Sequence, residues 1–178
     1  MVNRTMNIVV TEYNKDWPKQ FDKEVEKIRD ILKYEIVKIH HIGSTAVPGL
    51  KAKPIIDMMP IVRDIESIDK YNKEMIEIGY ESLGELGIHG RRYFRKGGEE
   101  RTHQIHIFQG DNITEIERHL AVRDYLKSHK ETADEYGELK AQLALQFPKD
   151  IEGYSDGKDE FVQNLEQIAL EWKRKSSK

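Results

Sequence analysis

The stretch of this chain richest in chemically useful groups runs His40-His41-Ile42-Gly43-Ser44-Thr45-Ala46-Val47-Pro48-Gly49-Leu50 and continues through Lys51-Ala52-Lys53-Pro54-Ile55-Ile56-Asp57. A strand that delivers Gly43, Ser44 and Thr45 into a turn directs backbone N–H groups and a hydroxyl at one point, a common way to hold a phosphate oxygen. Lys53 adds positive charge nearby. A plainer reading has Gly43 and Gly49 serving tight turns and Asp57 as a hydrogen-bonded buried carboxylate. The spacing alone leaves both open. Asp57 stands out because it interrupts an almost continuous apolar run from Pro54 to Val62.

Further candidates lie downstream. His103 and His106 are three residues apart in an alternating stretch, so on a regular strand they face opposite sides and one of them reaches Asp57. An imidazole beside that carboxylate suits a transition metal or a proton transfer, which makes Asp57, His103 and His106 the candidate metal set and Asp57 with His106 the candidate catalytic pair. Two structural histidines bonded to backbone are the alternative. Arg91, Arg92 and Arg95 follow a glycine-rich segment, and Arg92 is taken forward as a phosphate ligand against the alternative of a solvated charged hairpin. Arg123, beside Asp124 on an apolar helix, either pairs internally or points into a cleft. Lys158 reads as lying near a helix start, where a cation opposes the dipole, so an anion-facing role is favoured. His40 and His41 are not counted as ligands.

These residues need elements to position them. Ile8 to Tyr13 alternates loosely and predicts a short strand, and Asp16 with Pro18 opens a helix whose apolar face is Phe21, Val25, Ile28, Ile31 and Leu32. Ile36 to Ile42 predicts a strand ending in the glycine turn, and Pro54 to Val62 one buried on both faces. Ser67 to Ile78 has helical spacing and ends at Gly79, Gly84 to Gly90 is a hairpin or loop, and Arg101 to Phe108 alternates as a further strand. Helices follow over Thr114–His129, Glu131–Phe147 and Lys158–Lys173. Pro148 and the Gly153–Gly157 segment separate the last two, and Lys173 to Lys178 is a frayed end.

At 178 residues the chain predicts one domain, a sheet-containing core over about 1–110 followed by a helical part over about 113–173. The fold class is α/β (α+β), a mixed sheet packed against helices. With 38% hydrophobic and 34% charged residues it reads as globular, and its apolar runs are too short to span a membrane. Cysteine is absent, which excludes disulfides and thiolate zinc sites. Met1 to Val10 lacks the pattern of a secretion leader, so the expected location is cytoplasmic. A net charge of −3 argues against nucleic acid as a partner and makes any anion site local.

The segment Gly43 to Leu50 followed by Lys53-Pro54-Ile55-Ile56-Asp57 closely resembles the signature of the GrpB family. The resemblance extends to Tyr13, Trp17, His103, His106, Arg123-Asp124-Tyr125-Leu126, Tyr154 and Lys158. That family also occurs fused to dephospho-coenzyme A kinase and is similar to the nucleotidyltransferases, in which Gly-Ser grips a triphosphate and strand carboxylates bind magnesium. The resemblance therefore implies a nucleotidyltransferase-like fold, a nucleoside triphosphate held at Gly43, Ser44, Thr45 and Lys53, a divalent metal on Asp57, and transfer of a nucleotidyl or phosphoryl group to an acceptor. It departs from the pattern at Met59, where a second carboxylate would complete a two-metal strand, because a thioether is a poor magnesium ligand. The competing expectations are a nucleotide or coenzyme A-related binding module without catalysis, and a metal-dependent hydrolase using Asp57 with the histidines; what discriminates them is whether a second carboxylate comes from elsewhere, for example Glu81 or Glu85.

Overall fold

The computed structural model describes residues 6–176; the first five residues of the Met1–Val10 stretch and the last two of the expected frayed end lie outside them. Helix α1 (Trp17–Leu32) begins with Pro18 in its first turn. It buries Ile28 and Leu32 and packs Phe21, Val25 and Ile31 against the same core, the face its apolar spacing requires. Strands β1 (Ile36–Ile42), β2 (Ile56–Val62), β3 (Tyr80–Ser82), β4 (Arg91–Lys96) and β5 (His103–Gln109) form one sheet in the order β1-β2-β5-β4-β3. Only the β2–β5 pair is parallel, so the sheet is mixed. The short helix α2 (Asn72–Glu77) precedes β3, and α3 (Ile113–Ser128), α4 (Lys130–Gln146) and α5 (Ile151–Ser176) complete the chain.

The two faces of the sheet differ. Ile56, Met58, Val62, Ile105, Ile107 and Phe94 point towards α1 and form the main core with Ile28, Leu32 and Met75. On the other face Met59, Ile61 and Phe108 pack with Ile42 beneath Ile116 and Leu120 of α3. This double burial is why β2 reads as a continuous apolar run. Asp57 shares the second face, near the start of β2.

Several sequence expectations need correction. Ile8 to Tyr13 forms no strand; Thr11 makes one isolated bridge to Ala52. The Ser67–Ile78 helix is divided into a 3₁₀ stretch, Ile65–Tyr71, and α2. Gly153 and Gly157 do not break the chain but lie inside α5, which runs 26 residues from Ile151 and stays helical through Ser176. A Cβ at Gly157 would stand 2.4 Å from the Leu143 side chain, and one at Gly153 2.5 Å from Phe147. These glycines admit a close helix crossing, which sequence alone does not distinguish from a helix stop.

A buried carboxylate borders the main core. Glu24 of α1 is 3% exposed, accepts a 2.7 Å hydrogen bond from the Tyr80 hydroxyl and pairs with Lys96. Burial pushes its pKa up, but hydrogen bonds from Lys96 and Tyr80 outweigh that and hold it below the ordinary value of 4.5. A carboxyl lowered on folding contributes stability above its unfolded pKa and loses it as pH falls through the folded one. Glu24→Gln is therefore expected to cost about 2 kcal/mol at neutral pH, with the gap to wild type closing below pH 4.5 in urea titrations across pH.

Candidate functional site

The site forms where β1 ends. Gly43 has φ 73° and ψ −170°, a region open essentially to glycine. It also lies against Asp57, such that a Cβ there would be 2.8 Å from Asp57 Oδ2. The chain then makes a 3₁₀ turn over Ser44–Ala46. Thr45 is 1% exposed, and its hydroxyl bonds the Nε2 of His41 at 2.9 Å. The His41 ring stacks on Phe21 at 4.6 Å, and burial pushes its pKa down to about 4. Arg123 Nη1 donates to the His41 carbonyl at 3.2 Å and Nε to Asp124 at 2.9 Å. Thr45, His41 and Arg123 thus brace the turn through their side chains, while the Ser44 hydroxyl is left towards a cavity.

That cavity, of about 180 Å³, brings together Gly43, Ser44, Lys53, Asp57, Lys140 and Lys158. Lys140 of α4 is 2% exposed and donates from Nζ to Ser44 Oγ at 2.6 Å. Its ammonium lies 4.4 Å from the Tyr136 ring centre; Lys53 and Lys158 lie 4.8 Å and 5.3 Å from that of Tyr154. Tyr154 is fully buried, with a hydroxyl that has no hydrogen-bond partner. Burial, and then the charge of Lys158, lower the Lys53 pKa to about 8. Lys140 is held well below its ordinary value by burial and by both other lysines. Three amines face one carboxylate, so the cavity carries more basic than acidic side chains.

Asp57 is 25% exposed and lies 3.0 Å, through Oδ1, from Nε2 of His106. His106 Nδ1 is 3.4 Å from Arg91 Nη1, and Arg91 is fixed by the carbonyls of Glu85 and Leu86. The ring is thereby held from both sides.

The sequence-derived set divides accordingly. Gly43, Ser44, Lys53, Asp57 and Lys158 meet at the cavity, Thr45 lines it, and His106 reaches Asp57. His103 does not, since three residues along a regular strand it faces α1, 3.7 Å from Glu24. Arg92 also lies on that side, bound to Asp69 at 2.8 Å, and so is remote from the cavity. Glu81 pairs with Arg95, and Glu85 caps the loop at Gly90, so neither stands beside Asp57. Among the described residues no group of three His, Asp or Glu side chains is placed to hold a metal. Lys158 sits in the third turn of α5, not at its start, so helix-dipole reasoning does not apply to it. The residue missed was Lys140, whose one sequence signal is a lysine four residues after Tyr136 and three before Leu143 on a buried helix face.

A mixed sheet with a Gly-Ser turn after one strand and a carboxylate on the next, backed by helices, defines the nucleotidyltransferase-like fold. A crystal structure of the Cid1 poly(U) polymerase with Mg 3'-dATP bound superposes with a TM-score of 0.53 at 12% identity, over 75% of this chain and 44% of that one. Within this fold class the chain belongs to the GrpB family, the family model for GrpB protein matching residues 7–167. The crystal structure of the conserved protein GrpB from Enterococcus faecalis matches with a TM-score of 0.89 and 49% identity, over 92% of this chain and 98% of that one. The UPF0157 protein YqkA of Bacillus subtilis (strain 168) is 48% identical over 162 residues, 91% of this chain but 47% of YqkA, so the chain spans about half of that relative's length.

Gly43 combines a backbone conformation closed to other residues with a contact that admits no Cβ. Gly43→Ala is expected to cost about 2 kcal/mol by urea unfolding and to break the Asp57–His106 hydrogen bond, read as a changed His106 ring shift in nuclear magnetic resonance spectra.

Proposed function

We propose that this protein binds a nucleoside triphosphate, with its phosphates on Ser44, Lys53, Lys140 and Lys158, and transfers a nucleotidyl group to an acceptor hydroxyl beside Asp57. The observation that carries this reading is the crowding of three lysines around the Gly43–Ser44 turn, with Lys140 buried against a neutral hydroxyl instead of a carboxylate. A buried amine cluster is relieved by a polyanion, and triphosphate is the polyanion this fold class handles.

In the transfer, the acceptor oxygen bonds to the α-phosphorus as the bond from that phosphorus to pyrophosphate breaks. The hydroxyl proton passes to the Asp57–His106 pair, and the lysines stabilise the departing pyrophosphate. His106 is a positioning residue, because its contact with Oδ1 leaves Oδ2 towards Gly43. Magnesium commonly binds one or two carboxylates together with substrate phosphates, and Asp57 fits the first of these arrangements. When bound, such an ion would neutralise phosphate charge. Met59 is fully buried between Ile42 and Phe108 and supplies no second ligand. That placement favours a second reading, a nucleotide-binding module without transfer.

Titration calorimetry with ATP, GTP, CTP and UTP in magnesium buffer tests the first step, and release of pyrophosphate from each separates the two readings. Lys140→Met is expected to weaken binding at least tenfold while raising thermal stability, because it removes a buried amine; Ser44→Ala weakens it several-fold. No heat with any of the four would end the proposal.

A pH dependence follows from Lys53. In the unliganded protein this amine loses its proton near pH 8, and a bound phosphate favours the ammonium. Binding at pH 8.5 is thus expected to take up protons, measured from the heats in buffers of different ionisation enthalpy, and affinity falls as pH rises beyond about 8. Because the folded pKa lies below the unfolded one, the unliganded protein gains stability from this group as pH rises from about 8 to 10.5.

A further inference from the structure

A second cavity, of about 260 Å³, opens from the first at Gly43 and Asp57 and runs between α3, α5 and the sheet. Its walls are Ile42, Val122, Val162 and Leu165, with His119 and the Arg118–Glu166 pair as polar groups. His119 lines the cavity, and its Nε2 is buried just behind the wall with no hydrogen-bond partner, an uncommon condition in a folded protein and one that a ligand would relieve if the ring turned to bring this nitrogen to the surface. Burial and the neighbouring Arg118 push the His119 pKa down to about 3, so the ring is neutral and offers one directed hydrogen bond. Arg118 donates to both Glu115 and Glu166, which leaves no excess cation in this cavity beyond the shared Lys158. In volume it falls just below the roughly 300–1,000 Å³ of sites for drug-sized ligands.

The arginines nearby are held in the same way. Arg95 binds Glu81, Arg123 binds Asp124, and Arg91 is fixed by backbone carbonyls, while Arg101 keeps its Nε buried away from solvent. A nucleic-acid end would need a track of exposed cations aimed at phosphates, and these guanidinium groups are held by carboxylates and carbonyls or, in Arg101, turned with Nε inward.

We propose that the α3–α5 cavity takes the acceptor, and that the acceptor is a small uncharged alcohol with an apolar body, not a nucleic-acid end. The apolar walls take the body, His119 Nε2 bonds a polar group on it, and the hydroxyl lies at Asp57, where it loses its proton as the new oxygen–phosphorus bond forms and pyrophosphate leaves. This inference rests on the triphosphate reading, and the test separates the two.

Protein carrying labelled Ile, Leu and Val methyls is titrated with benzyl alcohol, toluene, a 15-nucleotide oligoadenylate and, separately, ATP. The expected result is saturable millimolar shifts of Val122, Val162 and Leu165 methyls with benzyl alcohol, a several-fold preference for it over toluene, and no saturable shift of these methyls with the oligonucleotide. Val162→Trp, which fills the cavity, abolishes alcohol binding but keeps ATP affinity within about threefold. His119→Phe, which keeps the ring and removes its nitrogens, erases the preference for alcohol over toluene. Alcohol leaving those methyls unmoved in the wild type, or an oligonucleotide that binds there and still binds Val162→Trp, would overturn the proposal. ATP failing to bind the wild type while benzyl alcohol binds overturns the triphosphate reading and with it the role of acceptor, but leaves the alcohol site standing.

Discussion

The gathering of Lys53, Lys140 and Lys158 into one cavity, against the cost of burying their amines, is the constraint on which the rest of the molecule depends. These residues come from the loop before β2, from α4 and from α5, so the fold must bring the helical part of the chain against the end of the sheet. Glycines make that approach possible. A Cβ at Gly137 of α4 would meet Lys51 and Leu50 at 3.3 and 3.4 Å, and one at Gly157 of α5 would stand 2.4 Å from Leu143 of α4. Glycine inside a helix costs about 0.5–1 kcal/mol relative to alanine. Here that cost is offset by a close crossing that holds the Lys140 amine at a hydroxyl 96 residues away in sequence.

The sheet supplies the opposite requirement, a fixed carboxylate. Its α1 face is mainly apolar, with the Glu24 network of Tyr80 and Lys96 at its edge. Its other face is apolar under α3 and polar at the open end, where Asp57 meets His106. Strand side chains alternate, so this partition depends on register; a one-residue slip of β2 would bury Asp57 in the main core and turn Met58 out to the cavity. The parallel pairing of β2 with β5, Asp57 opposite Gln104 and Met58 opposite Ile105, fixes the register that places His106 beside Asp57.

What the sequence showed, and what it hid, follows from the range over which each signal acts. The glycine turn, the bounds of β1 and the separation of His103 from His106 are local, set by φ/ψ preferences and strand alternation, and all can be read from neighbouring residues. Arg92 could not be placed that way, because Asp69, 23 residues away, decides its direction. Nor could Gly153 and Gly157, since a glycine that ends a helix and one that admits another helix look alike until the partner, Phe147 or Leu143, is in place. Lys140 is the deepest case. In a chain with 34% charged residues a lysine on a helix is ordinary, and only tertiary packing shows that this one is buried.

The buried Lys140 also bears on what Met59 means. If the loss of a second carboxylate had left an inert site, the cheapest residue facing Ser44 from within α4 would be apolar, since a desolvated amine hydrogen-bonded to one neutral hydroxyl recovers little of its hydration. The structure instead directs three amines at the cavity, against a single carboxylate whose Oδ1 is engaged by His106. In a two-metal strand, paired carboxylates collect cations that in turn hold phosphates. With methionine in the second position, fixed ammonium groups can oppose phosphate charge directly, and the requirement for metal falls to what one carboxylate can hold. On the triphosphate reading proposed above, departure at Met59 and burial of Lys140 describe one charge balance, in which side-chain cations share the work that a second ion does in a two-metal strand.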